Sequence, residues 1–331
     1  MLDKRINYID FLKFIGLTGI IIAHVGSPDW LMMLRNFDVP LMVIVSSILA
    51  SYSIKKNRED KQSTINYYIS RIKRLAFPTW IFLIMFFIYK TIIKETMSID
   101  YYISSFLLTK YGLGYIRIIL IFLYSALLIP LFRRMGYKKR SSIIILGFYI
   151  LYEILYYYNI GTANKIRDTT FYYIIPYGLL TYLGFNIERI SNKKKKIYIL
   201  INFIVFSLFV YYYYIKTGTF QSVQIAKYPP RLYYLSYGIF SSLLILYICQ
   251  RHNLNIFNNK IIIFISKHSL WIYLWHIFVL DIYKYTSLPE IWYVKLLFVY
   301  TTAIIITFII NKLLDLMEKN HKLYILKYLR G

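Results

Sequence analysis

Residues 8–25 read Y-I-D-F-L-K-F-I-G-L-T-G-I-I-I-A-H-V, an apolar run long enough to cross a bilayer as a helix. Runs of this kind recur along the whole chain. The 331 residues are 58% hydrophobic and 20% aromatic, whereas soluble domains are roughly 45–50% apolar. The sequence therefore predicts an all-α polytopic membrane protein and excludes an ordinary soluble globular protein.

Ten apolar runs are predicted to be transmembrane helices, and they fill almost all of a single integral-membrane domain, residues 1–331. Their approximate bounds are 8–25, 37–54, 75–93, 115–132, 141–158, 171–188, 197–215, 232–250, 261–283 and 292–314. No cleavable signal peptide is predicted, because the first run lacks a small-residue cleavage site and contains Lys13 and His24.

Positive charge is concentrated in alternate loops. Of the 40 Lys and Arg residues, 25 lie in the two terminal segments and in every second loop, and 10 lie in the other loops. Because Lys and Arg favour the cytoplasmic side, both termini are predicted to be cytoplasmic. A nucleic-acid-binding protein could carry this charge but would lack the apolar runs, so membrane lipids and no nucleic acid are expected as partners. Together with a composition typical of AT-rich bacterial genomes, this predicts a multi-pass protein of a bacterial plasma membrane.

The first predicted span contains three ionisable residues. At about 100° per residue, Asp10, Lys13 and His24 lie on one helix face, with His24 roughly 16 Å from Lys13 towards the outer side. Ionisable side chains inside a membrane are costly, so they indicate a polar cavity within the bundle. The alternative is a structural Asp10–Lys13 pair with one hydrogen-bonded histidine.

The second span begins with Phe-Asp-Val-Pro-Leu at residues 37–41, which places Asp38 at the depth of His24. A histidine oriented by a carboxylate can act as a general base, so His24 with Asp38 is a candidate catalytic pair. The other interpretation makes Asp38 a helix N-cap with Pro40 in the first turn.

Three further elements carry candidate site residues. Arg71 and Arg74 are spaced i, i+3 and could hold one anionic ligand, although, taken alone, an ordinary positive-inside anchor explains them better. Tyr273 and His276 share a helix face near the predicted depth of His24. Arg231 follows two prolines at the start of the eighth span and could hold a substrate anion or hydroxyl. No metal site is predicted.

These elements, in this order, resemble the integral-membrane acyltransferase family 3, and within it the fucose 4-O-acetylase-like polysaccharide O-acetyltransferases. The resemblance covers roughly residues 5–310. It rests on Lys13 and His24 separated by ten residues, on the Phe-Asp-Val-Pro-Leu start, on Arg-x-x-Arg at 71–74 and on Ser-Leu-x-Ile-Tyr-Leu-x-His at 269–276. Lys13 stands where many relatives have arginine, which keeps the charge but loses bidentate pairing.

The resemblance implies transfer of an acetyl group from acetyl-CoA to a hydroxyl of a cell-surface glycan or its lipid-linked precursor. Lys13, Arg71 and Arg74 would then bind CoA. His24 would be the general base with Asp38 as its partner, or alternatively would form an acyl-histidine intermediate. The candidate oxyanion donors are Tyr273, His276 and Arg35, and the expected acceptor contacts are Arg35 and Arg231.

Two other functions stay open at this point. A polysaccharide or lipid exporter would use the buried charges to line a transport path. A non-catalytic membrane scaffold would have no use for such costly residues. The oligomeric state is left open.

Overall fold

The computed structural model describes residues 7–56, 64–109, 111–158, 170, 172–252 and 254–320. Within these ranges the chain is helical and forms no strand, as the sequence predicts. Its α-helices are α1 (Asn7–Ile22), α2 (Asp29–Leu34), α3 (Asp38–Lys56), α4 (Thr64–Ile92), α5 (Ile99–Phe106), α6 (Arg117–Met135), α7 (Lys139–Tyr157), α8 (Tyr172–Asn186), α9 (Asn192–Thr217), α10 (Leu232–Arg251), α11 (Lys260–Lys267), α12 (Ser269–Tyr283) and α13 (Trp292–Asn320).

Each of the ten predicted spans overlaps at least one of these helices. Among the described residues, six helical stretches, built on α3, α4, α6, α9, α10 and α13, are long and apolar enough to cross a membrane. The bent pair α11–α12 makes a seventh if it is one span. With 16 and 15 residues, α1 and α8 are shorter than the roughly 20 residues of a straight crossing. The protein is thus a multi-pass membrane protein, and ten spans with cytoplasmic termini stay a prediction.

The ninth predicted span, 261–283, is broken in the structure, because α11 and α12 meet at an angle of 82°. Two side chains of α1 make hydrogen bonds to Ser266, close to this break. Lys13 Nζ donates a hydrogen bond to the carbonyl of Ser266, and Ser266 Oγ donates to Asp10 Oδ1 at 2.5 Å. The last carbonyls of a helix have no partner within it, so a lysine here stabilises the end of α11. Asp10 and Lys13 therefore both bond to Ser266 in the last turn of α11, while the two interpretations that the sequence left open for them stay predictions.

Helix α3 lies at the centre and packs against α1, α6, α8 and α10. Two glycines on neighbouring helices allow those helices to approach α3 closely. A Cβ at Gly184 of α8 would lie 2.5 Å from the carbonyl oxygen of Ile44, and one at Gly19 of α1 would lie 3.0 Å from Asp38 Cβ. Such small-residue contacts are how helices pack closely in membranes. They bring the C-terminal end of α1 beside the first turn of α3.

The most peripheral of the long helices is α9. Ser191 caps its N-terminus by accepting from the amide of Lys194, and Gly218, with φ 73°, ends it in the left-handed conformation. Apolar side chains such as Leu200 and Leu208 are exposed along it. This surface suits contact with lipid, whereas the buried core lies among α1, α3, α10 and α12.

Candidate active site

Two cavities of about 310 and 320 Å³ meet inside the bundle at Ile20, Ile118 and Tyr273, which line both. The first, here called the histidine cavity, has one histidine, three cations and one carboxylate in its wall: His24, Arg35, Asp38, Arg117 and Lys227. The second, here called the arginine-pair cavity, has four cations: Lys13, Arg71, Arg74 and Lys267. The structure therefore separates the sequence-predicted residues into two neighbouring compartments.

The arginine-pair cavity brings together the three cations that sequence analysis assigned to one anionic ligand. Lys13 comes from α1, and Arg71 and Arg74 come from successive turns of α4. A fourth cation, Lys267, ends α11; the only sequence signal for it is a lysine inside a predicted span. Lys13 and Arg71 are partly buried, whereas Arg74 and Lys267 are exposed. No acidic residue of the described chain lines this cavity, so an anion would meet only positive charge.

The histidine cavity contains the contact on which the site depends. His24 lies in the turn just after α1, two residues beyond its end at Ile22, and His276 lies on α12. His24 Nδ1 and His276 Nε2 are 2.9 Å apart, and the ring centres are 5.2 Å apart with the ring planes 10° from parallel, so the two rings meet edge to edge through these nitrogens. Their common depth was a prediction from the sequence, but direct contact between the two histidines was not.

The hydrogen bonds of this pair fix the tautomers. His276 Nδ1 is hydrogen-bonded to the carbonyl oxygen of Tyr273. A carbonyl only accepts, so this nitrogen carries the hydrogen. His276 is fully buried, and a buried imidazole without an anion beside it is neutral. Its Nε2 therefore accepts from His24 Nδ1–H, which leaves His24 Nε2 with a free lone pair. Since His24 lines the cavity, this arrangement presents a base to whatever occupies it.

Asp38 does not orient His24, contrary to the predicted pair. Its Oδ2 lies 2.6 Å from Arg35 Nη1, its Oδ1 accepts the amide of Val39 at 2.7 Å, and Lys227 Nζ lies 3.9 Å from Oδ1. The carboxylate is fully buried, so it needs these partners to offset the loss of hydration. In the described structure His276 occupies the partner position that the sequence assigned to Asp38.

Of the three predicted oxyanion donors, Arg35 is the best placed. His276 uses both ring nitrogens in hydrogen bonds and lines neither cavity. Tyr273 lines both, but its hydroxyl donates to the carbonyl of Tyr115. Arg35 lines the histidine cavity, and its Nη2 lies 3.5 Å from the side-chain oxygen of Gln224. Because the latter contact is long and weak, that nitrogen can be redirected to a ligand at little cost.

Arg231 was predicted to contact substrate and lies elsewhere. Its guanidinium carbon is 4.5 Å from the centre of the Tyr156 ring, and its Nε is 3.9 Å from Glu153 Oε2. It lines neither cavity. An ion pair with Glu153 of α7 therefore takes the place of the predicted substrate contact.

Two cations of the histidine cavity were not assigned to the site from the sequence. Arg117, at the start of α6, donates to the Tyr173 hydroxyl at 3.0 Å. Lys227 follows a short 3₁₀ helix, Val223–Ala226, and is buried beside Asp38. Burial lowers the pKa of Lys227, while the Asp38 carboxylate acts in the opposite direction. Arg117 lies at the start of the fourth predicted span, 115–132, and Lys227 lies in the loop before the eighth span, and the sequence analysis gave neither a role in the site.

Comparisons with known proteins identify the family of this chain. A family model described as an acyltransferase domain, that of acyltransferase family 3, matches residues 6–312, and the chain belongs to this family. Proteins named probable poly-beta-1,6-N-acetyl-D-glucosamine export protein, from Staphylococcus aureus strains MRSA252 and MSSA476, are 25% identical to it over 271 residues. The match covers 77% of this chain and 72% of each relative. No solved structure matches the chain significantly.

Proposed function

We propose that this protein transfers an acetyl group from acetyl-CoA to a hydroxyl of a cell-envelope glycan or its lipid-linked precursor, with His24 as the general base. The observation that carries the proposal is the His24–His276 pair. This pair offers an unprotonated ring nitrogen to the histidine cavity. At Tyr273 that cavity meets the arginine-pair cavity, whose charged side chains are all basic. Membership of an acyltransferase family supports the same chemistry.

The arginine-pair cavity suits the donor. CoA carries phosphates at one end of a long flexible arm and the thioester at the other. Arg71 and Arg74 with Lys13 and Lys267 provide charge-assisted donors for the phosphates. The arm would extend towards Ile20 and Tyr273, where the two cavities meet, and so bring the thioester near His24. Because Arg71 and Arg74 adjoin a loop predicted to be cytoplasmic, acetyl-CoA would enter from the cytoplasm.

The reaction balances with the groups present. His24 Nε2 removes the proton of the acceptor hydroxyl as its oxygen attacks the thioester carbonyl carbon. The tetrahedral oxyanion is stabilised by Arg35. When it collapses the C–S bond breaks, and the CoA thiolate takes the proton from the His24 imidazolium. The products are an O-acetyl ester and CoA.

Replacing His24 by glutamine tests the proposal. An amide can keep a hydrogen bond to His276 but cannot take a proton at working pH, so His24→Gln should insert and bind acetyl-CoA normally. Its transfer of radiolabelled acetyl to envelope glycan should fall about 10²–10⁴-fold, the range for loss of a general base. If this variant keeps most of the wild-type turnover, His24 is not the base.

Export is the second candidate function, because the relatives described above are named as export proteins. In that case the two cavities would form parts of a path for a saccharide. Reconstituted vesicles separate the two functions. Uptake of glycan that needs no acetyl-CoA and survives His24→Gln would favour export, whereas label appearing on glycan only with acetyl-CoA would favour transfer.

A further inference from the structure

The charges around the histidine cavity do not balance. Three cations line it, Arg35, Arg117 and Lys227, and Asp38 is the one acidic residue of the described chain in its wall. Arg35 and Lys227 are 5% and 3% exposed, so water screens them little. Unpaired charge in such a place is costly, and a ligand of opposite charge would offset that cost.

Asp38 offsets about one of the three cations. Its short contact is the 2.6 Å ion pair with Arg35, and Lys227 is more distant at 3.9 Å. The other neighbours of Lys227 are the rings of Tyr228 and Tyr234, both at 5.7 Å. Neutral groups also surround Arg117, whose hydrogen bond goes to a tyrosine hydroxyl.

Two buried donors in this wall, Arg35 Nε and the Tyr177 hydroxyl, make no hydrogen bond to any described residue. Buried donors are nearly always satisfied, so an orphaned one indicates an occupant that the protein alone does not supply.

The rest of the wall suits a sugar. Four tyrosines line the same cavity: Tyr124, Tyr173, Tyr177 and Tyr228. Aromatic rings give flat apolar surfaces with hydroxyls at their edges, which match the apolar faces and hydroxyls of a pyranose. A site with aromatic walls and a few fixed charges is built to orient a polar ligand.

We propose that the acceptor of this protein is an anionic glycan, a saccharide that bears a phosphate or carboxylate near the hydroxyl to be acylated. Lys227 and Arg117 hold the anionic group, and the tyrosines hold the ring beside His24. This assignment rests on the proposed function and adds the class of acceptor to it.

The test compares N-acetylglucosamine 1-phosphate with N-acetylglucosamine, both titrated into the full chain in phosphatidylcholine nanodiscs. The phosphorylated sugar should bind about tenfold more tightly or better, the lower range for a charge-assisted contact. Lys227→Gln and Arg117→Gln should each remove most of this preference. Lys216→Gln is the matched control, because Lys216 is exposed and lines neither cavity. CoA binding and the elution profile verify that each variant is folded.

Two further measurements show which cavity binds the phosphate of the sugar. The preference should survive Arg71→Gln with Arg74→Gln; if it disappears there and persists in Lys227→Gln, the phosphate binds in the arginine-pair cavity and the proposal fails. Adding phosphatidylglycerol should not compete with the sugar phosphate. Competition that is independent of the sugar would assign the cations to a lipid headgroup and would also overturn the proposal.

An acetyl-transfer assay distinguishes failure of the anionic-acceptor proposal from failure of the acetyltransferase function on which it rests. Equal acetylation of a neutral and an anionic glycan would refute the anionic acceptor and leave the acetyltransferase intact. Selective binding of the anionic sugar without any transfer would refute the acetyltransferase and support the ligand class of the cavity.

Discussion

His276 should control the activity of His24 without touching either substrate. The informative change is His276→Phe, which keeps a planar ring but removes the acceptor for His24 Nδ1–H. In the structure this acceptor lies 2.9 Å away and is what makes His24 Nε2 the unprotonated nitrogen. Without it, the tautomer needed for catalysis has a hydrogen-bond donor left unsatisfied.

The size of the effect follows from that single lost acceptor. An unsatisfied buried donor costs about 1–3 kcal/mol. Because this cost falls on the catalytic tautomer alone, kcat should fall about 5- to 150-fold, less than in His24→Gln. The KM for acetyl-CoA should not change, since His276 lines neither cavity. His276→Gln places an amide oxygen near the original Nε2 position and should recover most of the loss.

Steady-state transfer of radiolabelled acetyl by purified, correctly inserted protein measures kcat and the KM for acetyl-CoA. His268→Gln serves as the control, because His268 lies at the start of the same helix, packs on Phe264 and lines neither cavity. Wild-type kcat in the phenylalanine variant would refute the tautomer argument. An equal loss in the glutamine and phenylalanine variants would refute it as well, by showing that ring packing matters and the acceptor does not.

Arg71→Ala combined with Arg74→Ala should weaken acetyl-CoA binding at least tenfold in a titration, because charge-assisted contacts contribute about 1.5–3 kcal/mol each. An unchanged affinity would leave both residues with only a role in membrane topology. Gly184→Ala should lower thermal stability in detergent, because its Cβ would lie 2.5 Å from a carbonyl oxygen and overpacking costs about 1–3 kcal/mol. Gly147→Ala, where the new Cβ meets nothing within 4 Å, should have no such effect, and equal losses would contradict the packing argument. Reporter fusions after residues 60, 137, 193 and 255 should all report a cytoplasmic location, and an outside signal at two of them would overturn the topology.

Local sequence pattern determined the helical membrane class of this protein and part of its site. Apolar runs predict helices because each span must satisfy its own backbone in lipid. Helical periodicity also placed Lys13 and His24 on one face of the first predicted span, and the structure finds them in two cavities that meet at Ile20 of α1. Arg71 and Arg74 needed only their spacing in one helix to be predicted as one binding element.

Contacts between distant helices were decided by tertiary structure alone. His24 and His276 are 252 positions apart, and Asp38 has the distant Lys227 beside it, together with the local Arg35, in place of the predicted histidine. The break between α11 and α12 likewise depends on Lys13 from another helix. Lipid tails are as apolar as the side chains they meet, so hydropathy does not indicate which faces of two helices will pack together. Close glycine contacts, such as that of Gly184 with α3, help to determine which helix faces pack together. Such contacts form only when the helices assemble, so the sequence of one helix does not reveal them.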